Sequence, residues 1–157
     1  MALRGVQRAT VDLAFLVLMG DLERVHPLLR LHGYQRVFHS DNVSHYRSER
    51  VDFGRIDFLH AFRSPSVAML DRADRIDIGN GRALPVVATE DIIGLKVQAA
   101  VNDPERAEQD WLDIRLLLEA SAACGSDIDW ALIDDYLGIF DLHERRKTLK
   151  TWYEQAV

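Results

Sequence analysis

Hydrophobic and polar positions change their period a little past the middle of the chain. Up to about residue 88 the apolar residues come in short runs or alternate with polar ones, as strands require; beyond it they recur three and four apart, as amphipathic helices require. Residues 10–18, TVDLAFLVL, read as a buried strand rich in β-branched and aromatic side chains. Asp21 is placed to cap a helix reaching about Leu31, stopped by Gly33 and interrupted by Pro27 with a kink or an early end. Strands at 35–40, 43–48 and 51–59 follow, the first two joined by Asp41-Asn42, and are expected to form an antiparallel run beside the first strand. Ser64-Pro65 predicts a helix N-cap and first position, the helix reaching about Ala73. A ribbon of 75–78 and 82–88 turns at Gly79-Asn80-Gly81. Helices are then expected from Thr89 to about Val101, from Asp103-Pro104 to about Ala123, over 127–137 and over 142–155. Strands followed by helices predict an α+β fold: one domain, 1–157, with a sheet-rich part at 1–88 and a helical part at 89–157.

Composition narrows the class without naming a function. The 157 residues are 48% hydrophobic and 28% charged, enough for one domain with a proper core. A formal charge of −6 gives no general footprint for nucleic acid, so a polyanion would need a local site. The single cysteine, Cys124, excludes an internal disulfide, and no apolar run is long enough for a membrane span or follows a basic signal-type start. The expected location is the cytoplasm, with no membrane partner.

Charges inside apolar segments are the candidate chemistry. Asp12 interrupts the first strand, and an ionised carboxylate there is costly to bury unless a cation, a metal or several donors meet it. Asp57 stands likewise alone in GRIDFLHAF, although a solvent-facing position on an edge strand would explain it equally well. Two such acids on neighbouring strands of one sheet can converge on a divalent cation. Lys96 is the only basic residue of the apolar segment TEDIIGLKVQAAV, so it either snorkels to the surface or enters a cleft lined with anions. Arg106, Asp110 and Asp113 share one face of the next helix, beside an apolar stripe of Ala107, Trp111, Ile114 and Leu118. The plain alternative is an Arg106–Asp110 pair and a tie from Lys96 to Asp113 between the two helices.

Taken together, RGVQRATVDLAFLV, RIDFL and EDIIGLKVQAAVNDPERAEQDWLDIRLLL resemble the nucleotidyltransferase-like proteins of the AbiEii toxin group, within the polymerase-beta-like superfamily. The family pattern is a glycine pair at a helix start, a strand G-x-x-R-x-T-x-D-[IL]-D, a later strand acid, then LK-x-x-A and R-x-x-x-D-x-x-D. This chain supplies Gly5, Arg8, Thr10 and Asp12, then Asp57, then Lys96, Arg106, Asp110 and Asp113. The resemblance spans residues 1 to about 120 and implies a nucleotidyltransferase-like mixed sheet with a C-terminal helical half. It further implies Asp12 and Asp57 as catalytic residues and magnesium ligands, with Arg8, Thr10, Lys96, Arg106, Asp110 and Asp113 at a nucleoside triphosphate. The implied reaction transfers a nucleoside monophosphate to a hydroxyl on RNA, protein or a small molecule. The alternative is an inactive relative binding nucleotide or protein, with an antitoxin as partner or in phage defence.

The chain departs from that pattern twice. Ala14 stands where the family has the second acid of D-x-D, which removes a carboxylate from the face Asp12 would share and argues against two-metal catalysis. The chain opens at MALRG, where the glycine pair should already have passed, so the expectation is either a start that lies inside the ancestral gene or an N-terminally shortened relative. Loss of that covering element would expose apolar surface and a sheet edge, predicting a homodimer.

Other signals carry less. The six histidines have no metal-binding spacing, and His39, His45 and His60 can meet on adjacent strands but read mainly as scattered polar positions. Cys124 reads as a helix-end residue. The tail HERRKTLKTWYEQ sets Arg145, Arg146, Lys147 and Lys150 near Trp152 and Tyr153; an amphipathic helix with Leu149 and Trp152 inward is the stronger reading than an RNA contact.

Overall fold

The computed structural model describes residues 1–6, 12–50 and 52–157. The chain is α+β and divides into two units, Ala9–Ala73 and Met1–Arg8 with Asp74–Val157. The boundary between the units falls after Ala73, with the β-ribbon on the helical side. The β-ribbon goes with the helices because Arg4 holds it there: its guanidinium donates to Val86 O (2.9 Å), Val87 O (2.8 Å) and Asp74 Oδ2 (2.8 Å).

The first unit contains β1 (Leu13–Leu18), α1 (Leu22–Leu31), β2 (Tyr34–His39), β3 (Val43–Ser48), β4 (Ile56–Ala61) and α2 (Ser64–Asp71). Its sheet has the order β1-β4-β3-β2, with β1 parallel to β4 and the other pairs antiparallel. The expected antiparallel run is present and meets β1 through β4. Asp12 does not lie mid-strand in a buried run as the sequence suggested; it is exposed and immediately precedes β1, which is an edge strand. Arg8 and Thr10 lie outside the described residues. β4 begins later than expected because Phe53 N bonds Arg50 O (3.1 Å), turning the chain before the strand. Pro27 stays inside α1: the carbonyl that loses its partner belongs to Glu23, which is exposed to water.

Three expected side-chain caps are absent. The Asp21 carboxylate accepts from Arg24 (3.2 Å) instead of capping α1, and Ser64 and Thr89 are the first residues of their helices.

In the second unit, β5 (Asp74–Asp77) and β6 (Ala83–Val86) form the ribbon, followed by α3 (Thr89–Asn102), α4 (Ala107–Ala123), α5 (Trp130–Ile139) and α6 (Arg145–Glu154). Gly79, Asn80 and Gly81 all have positive φ (89°, 56°, 68°), which explains a Gly-Asn-Gly turn. Asp129 caps α5, accepting from Ala131 N (3.0 Å) and Leu132 N (3.1 Å), so that helix starts after the Asp127 expected. The core is built from Ile93 and Val97 of α3, Ile114, Leu117 and Leu118 of α4, Ile133 and Leu137 of α5 and Leu149 of α6, all fully buried.

Gly94 is where α3 admits α5. A Cβ built on it would lie 2.6 Å from the Tyr136 ring, whose hydroxyl donates to the buried Asp91 carboxylate at 2.6 Å. Gly94→Ala is therefore expected to destabilise the chain by about 1–3 kcal/mol through overpacking. Urea unfolding checks this; an unchanged midpoint would mean that Tyr136 moves aside without cost.

Candidate functional site

Parallel pairing sets Ala14 opposite Asp57 in register, one residue after the Leu13–Ile56 pair. Asp12 lies two residues before Ala14, and its Oδ1 accepts from Arg55 N at 2.9 Å while Leu13 N donates to Arg55 O at 2.9 Å. The Asp12 carboxylate thus extends the β1–β4 ladder by one bond, and being exposed it does not bear the burial cost that its sequence surroundings suggested.

Asp57 is held by a guanidinium and an imidazole. Its Oδ1 accepts from His45 Nδ1 (2.6 Å), across the register pair His45–Asp57 of β3 and β4. Its Oδ2 accepts from the Arg55 guanidinium (3.1 and 2.9 Å). Donation from Nδ1 leaves Nε2 as the other functional nitrogen of His45, and the Phe38 ring stacks on the imidazole at 5.2 Å. The sequence reading picked Asp57 and missed His45 and Arg55 as its partners. The signal was present as Arg55 two residues before Asp57 on one strand, and as a histidine on the strand that pairs with it.

The helical residues form a second cluster, in the other unit. Lys96 Nζ meets Asp110 Oδ1 at 2.8 Å and Asp113 Oδ2 at 2.7 Å, and Gln109 Nε2 donates to Asp113 Oδ1 at 3.3 Å. Asp110 and Asp113 do not sit on a charged edge beside the apolar stripe, as the spacing suggested. They are 2% and 0% exposed, continuing the buried face of Ile114, Leu117, Leu118 and Ser121. Burial is tolerable because one ammonium serves both acids. Arg106 is exposed at the N-cap of α4, where its carbonyl accepts from Asp110 N (3.2 Å), and the expected Arg106–Asp110 side-chain pair does not form.

The remaining histidines are organised rather than scattered. His60 Nδ1 donates to Asp41 O (2.9 Å), so its Nε2 accepts from the Ser44 hydroxyl (3.0 Å), whose oxygen in turn takes the His39 Nδ1 proton (2.8 Å). Ser44 and His60 are buried, which makes this chain a strut between β2, β3 and β4. In the tail, Arg145 lies over Trp111 (4.7 Å), Lys150 over Trp130 (5.5 Å), Arg146 pairs with Asp134, and Leu149 is buried. These contacts use the basic and aromatic groups in packing. Cys124 is exposed at the C-cap of α4.

The strand acids as arranged do not fit magnesium. Among the described residues no group of three or more His, Cys, Asp or Glu is placed to hold a metal ion. Both oxygens of Asp57 already accept from protein donors, and a divalent ion would have to displace a guanidinium and an imidazole to reach them. No protein-family model matches the chain, and no curated protein matches it. Among the described residues, no helix is long and apolar enough to cross a membrane.

Proposed function

We propose that this chain is a nucleotidyltransferase-fold protein that binds the phosphates of a nucleotide on its β1–β4 strand pair without metal-dependent transfer, as one component of a toxin–antitoxin or phage-defence system. The supporting observation is the register: the position opposite Asp57 is Ala14, and the groups beside Asp57 are the Arg55 guanidinium and the His45 imidazole. The system-level part of the reading rests on the resemblance of RATVDLAFLV, RIDFL and the Lys96-to-Asp113 segment to the AbiEii group.

The chemistry follows from the substitution of protein cations for a metal. The Arg55 side chain is 44% exposed, so its guanidinium can turn from Asp57 to make bidentate bonds to a phosphate. His45, held through Nδ1, presents its other nitrogen as a donor when protonated. Neither group activates a hydroxyl against phosphorus as two metal ions would, so binding is retained and turnover is not.

Isothermal titration of the full chain with each nucleoside triphosphate, with and without magnesium, tests this. The expected result is binding that does not require magnesium, weakens about tenfold or more in Arg55→Ala, and releases no pyrophosphate. Absence of binding under both conditions would remove the reading. Magnesium-dependent binding with pyrophosphate release would instead favour the active transferase, with RNA or protein as acceptor.

A further inference from the structure

We propose that the cleft between α1 and β2, lined by His26, Arg30, Gln35 and Arg36, is a binding site for a dianionic phosphate group, separate from the β1–β4 strand pair. The three basic residues converge for reasons of geometry. His26 and Arg30 stand one helical turn apart on α1, on the same face. Arg36 is the register partner of Tyr46, so both project from one face of the sheet. The Tyr46 hydroxyl lies 3.3 Å from His26 Nδ1 and the Tyr46 side chain is 1% exposed, so a buried group holds the imidazole. Directly after Arg36, a register shift between Arg36 and Phe38 breaks the regular pairing, the kind of irregularity that re-aims side chains at binding sites.

The cleft carries positive charge that the protein leaves unbalanced. Arg30 and Arg36 form no ion pair among the described residues, as several other arginines do not, but these two lie together beside a histidine. The lining residues include no acid; Glu49 accepts from the Gln35 side chain, and Glu23 lies one turn before His26 on α1. The charge is felt locally. Partial burial first, then Arg36 and Arg30, lower the pKa of His26 below its ordinary value. The free volume, about 240 Å³, falls below the roughly 300–1,000 Å³ of small-molecule sites and suits a phosphate group with its water. Two guanidinium forks with an imidazole provide the donors that such a group takes.

A bound dianion offsets the field of Arg30 and Arg36, so it raises the His26 pKa and draws a proton onto the ring. Affinity for the dianion therefore rises as pH falls through the His26 titration, an increase offset where the phosphate group itself takes up a proton, near pH 6 for a monoester.

The test is an NMR titration of the His26 ring in the full chain with inorganic phosphate and pyrophosphate, at ionic strength held constant with chloride. The expected result is a saturable shift, a His26 pKa that rises on binding, and affinity at least tenfold weaker in Arg30→Ala and Arg36→Ala. Both arginines are exposed, so folding of these variants is checked by unchanged spectra elsewhere. Arg36→Lys, which keeps the charge and loses the fork, is expected to be intermediate. Adenosine monophosphate binding more tightly than inorganic phosphate would identify a phosphate carried on a nucleotide, and equal affinity would identify the free group. A shift reproduced by chloride alone, or unchanged in both alanine variants, would overturn the proposal. Because none of these residues lies on β1 or β4, failure here leaves the strand-pair reading intact, and the reverse also holds.

Discussion

Replacing Lys96 with methionine is expected to cost about 3–5 kcal/mol of folding stability, the range for removing one partner from a buried ion pair. The reason is an asymmetry between making and breaking such a cluster. Lys96 Nζ is the cation for both Asp110 and Asp113, at 2.8 and 2.7 Å, and the two acids are 2% and 0% exposed. Methionine fills the volume of the lysine stem and leaves two carboxylates facing each other in the core of the helical unit. They must then stay ionised without the Lys96 charge, or take up protons and shift the stability profile towards acid. Urea unfolding at neutral pH measures the loss, and a repeat near pH 5 is expected to recover part of it. A companion variant, Lys96→Met with Asp110→Asn and Asp113→Asn, removes the charges together and is expected to be more stable than Lys96→Met alone. If Lys96→Met shifts the neutral midpoint by less than the equivalent of about 1 kcal/mol, water reaches the cluster and the argument from burial fails. The prediction also separates two roles for Lys96. A nucleotide-binding lysine with no structural duty would lose ligand and keep stability; this geometry predicts that stability goes first.

That cluster shows where sequence reasoning reaches its limit. Helical spacing was enough to place Asp110 and Asp113 on one face and Lys96 on the helix before it. It could not decide burial, because a carboxylate on a helix face reads as solvated unless its cation is known to arrive from another element. The same holds for Asp57. Alternation in RIDFL identifies a strand, but its partners Arg55 and His45 depend on β4 register with β3, which is set by pairing across some twelve residues of chain. Element existence was more legible. All five expected helices after β4, and the turn at Gly79-Asn80-Gly81, follow from local capping, periodicity and left-handed backbone preferences. Helix starts were displaced by a few residues at Asp129 and Ala107, where the choice among several acids and a proline depends on which amides the folded chain leaves unpaired. The unit boundary after Ala73 was not legible, since nothing in the composition near residue 74 reveals that Arg4 reaches back to the ribbon.

Ala14→Asp is expected to give the chain a divalent-cation site that the natural sequence lacks. Ala14 and Asp57 are register partners on adjacent parallel strands, which stand about 4.8 Å apart, so the new carboxylate rises beside Asp57. Asp12, two residues earlier and just before the strand, bonds the Arg55 amide of the same β4 segment, so its carboxylate is the next nearest acid. Without metal the variant should be less stable than the natural chain by about 0.2–1 kcal/mol, the cost of like charges placed opposite one another in a sheet. With metal the sign reverses. A third hard oxygen ligand lets magnesium or manganese compete with Arg55 and His45 for Asp57, and a cation at one hundred times its dissociation constant adds about 2.7 kcal/mol. Thermal unfolding with and without 10-fold steps in manganese reads both effects in one experiment. The natural chain is expected to show no metal-dependent rise in melting temperature, and the variant a rise that grows with the logarithm of the metal concentration. Adding His45→Ala and Arg55→Ala to Ala14→Asp should tighten metal binding further, because the competing cations are gone. A flat response in every variant would mean that Asp12, residue 14 and Asp57 do not converge, and with that the geometric basis for relating this strand pair to a metal-dependent transferase would fall; a rise in the natural chain would show instead that Arg55 and His45 yield Asp57 to a metal.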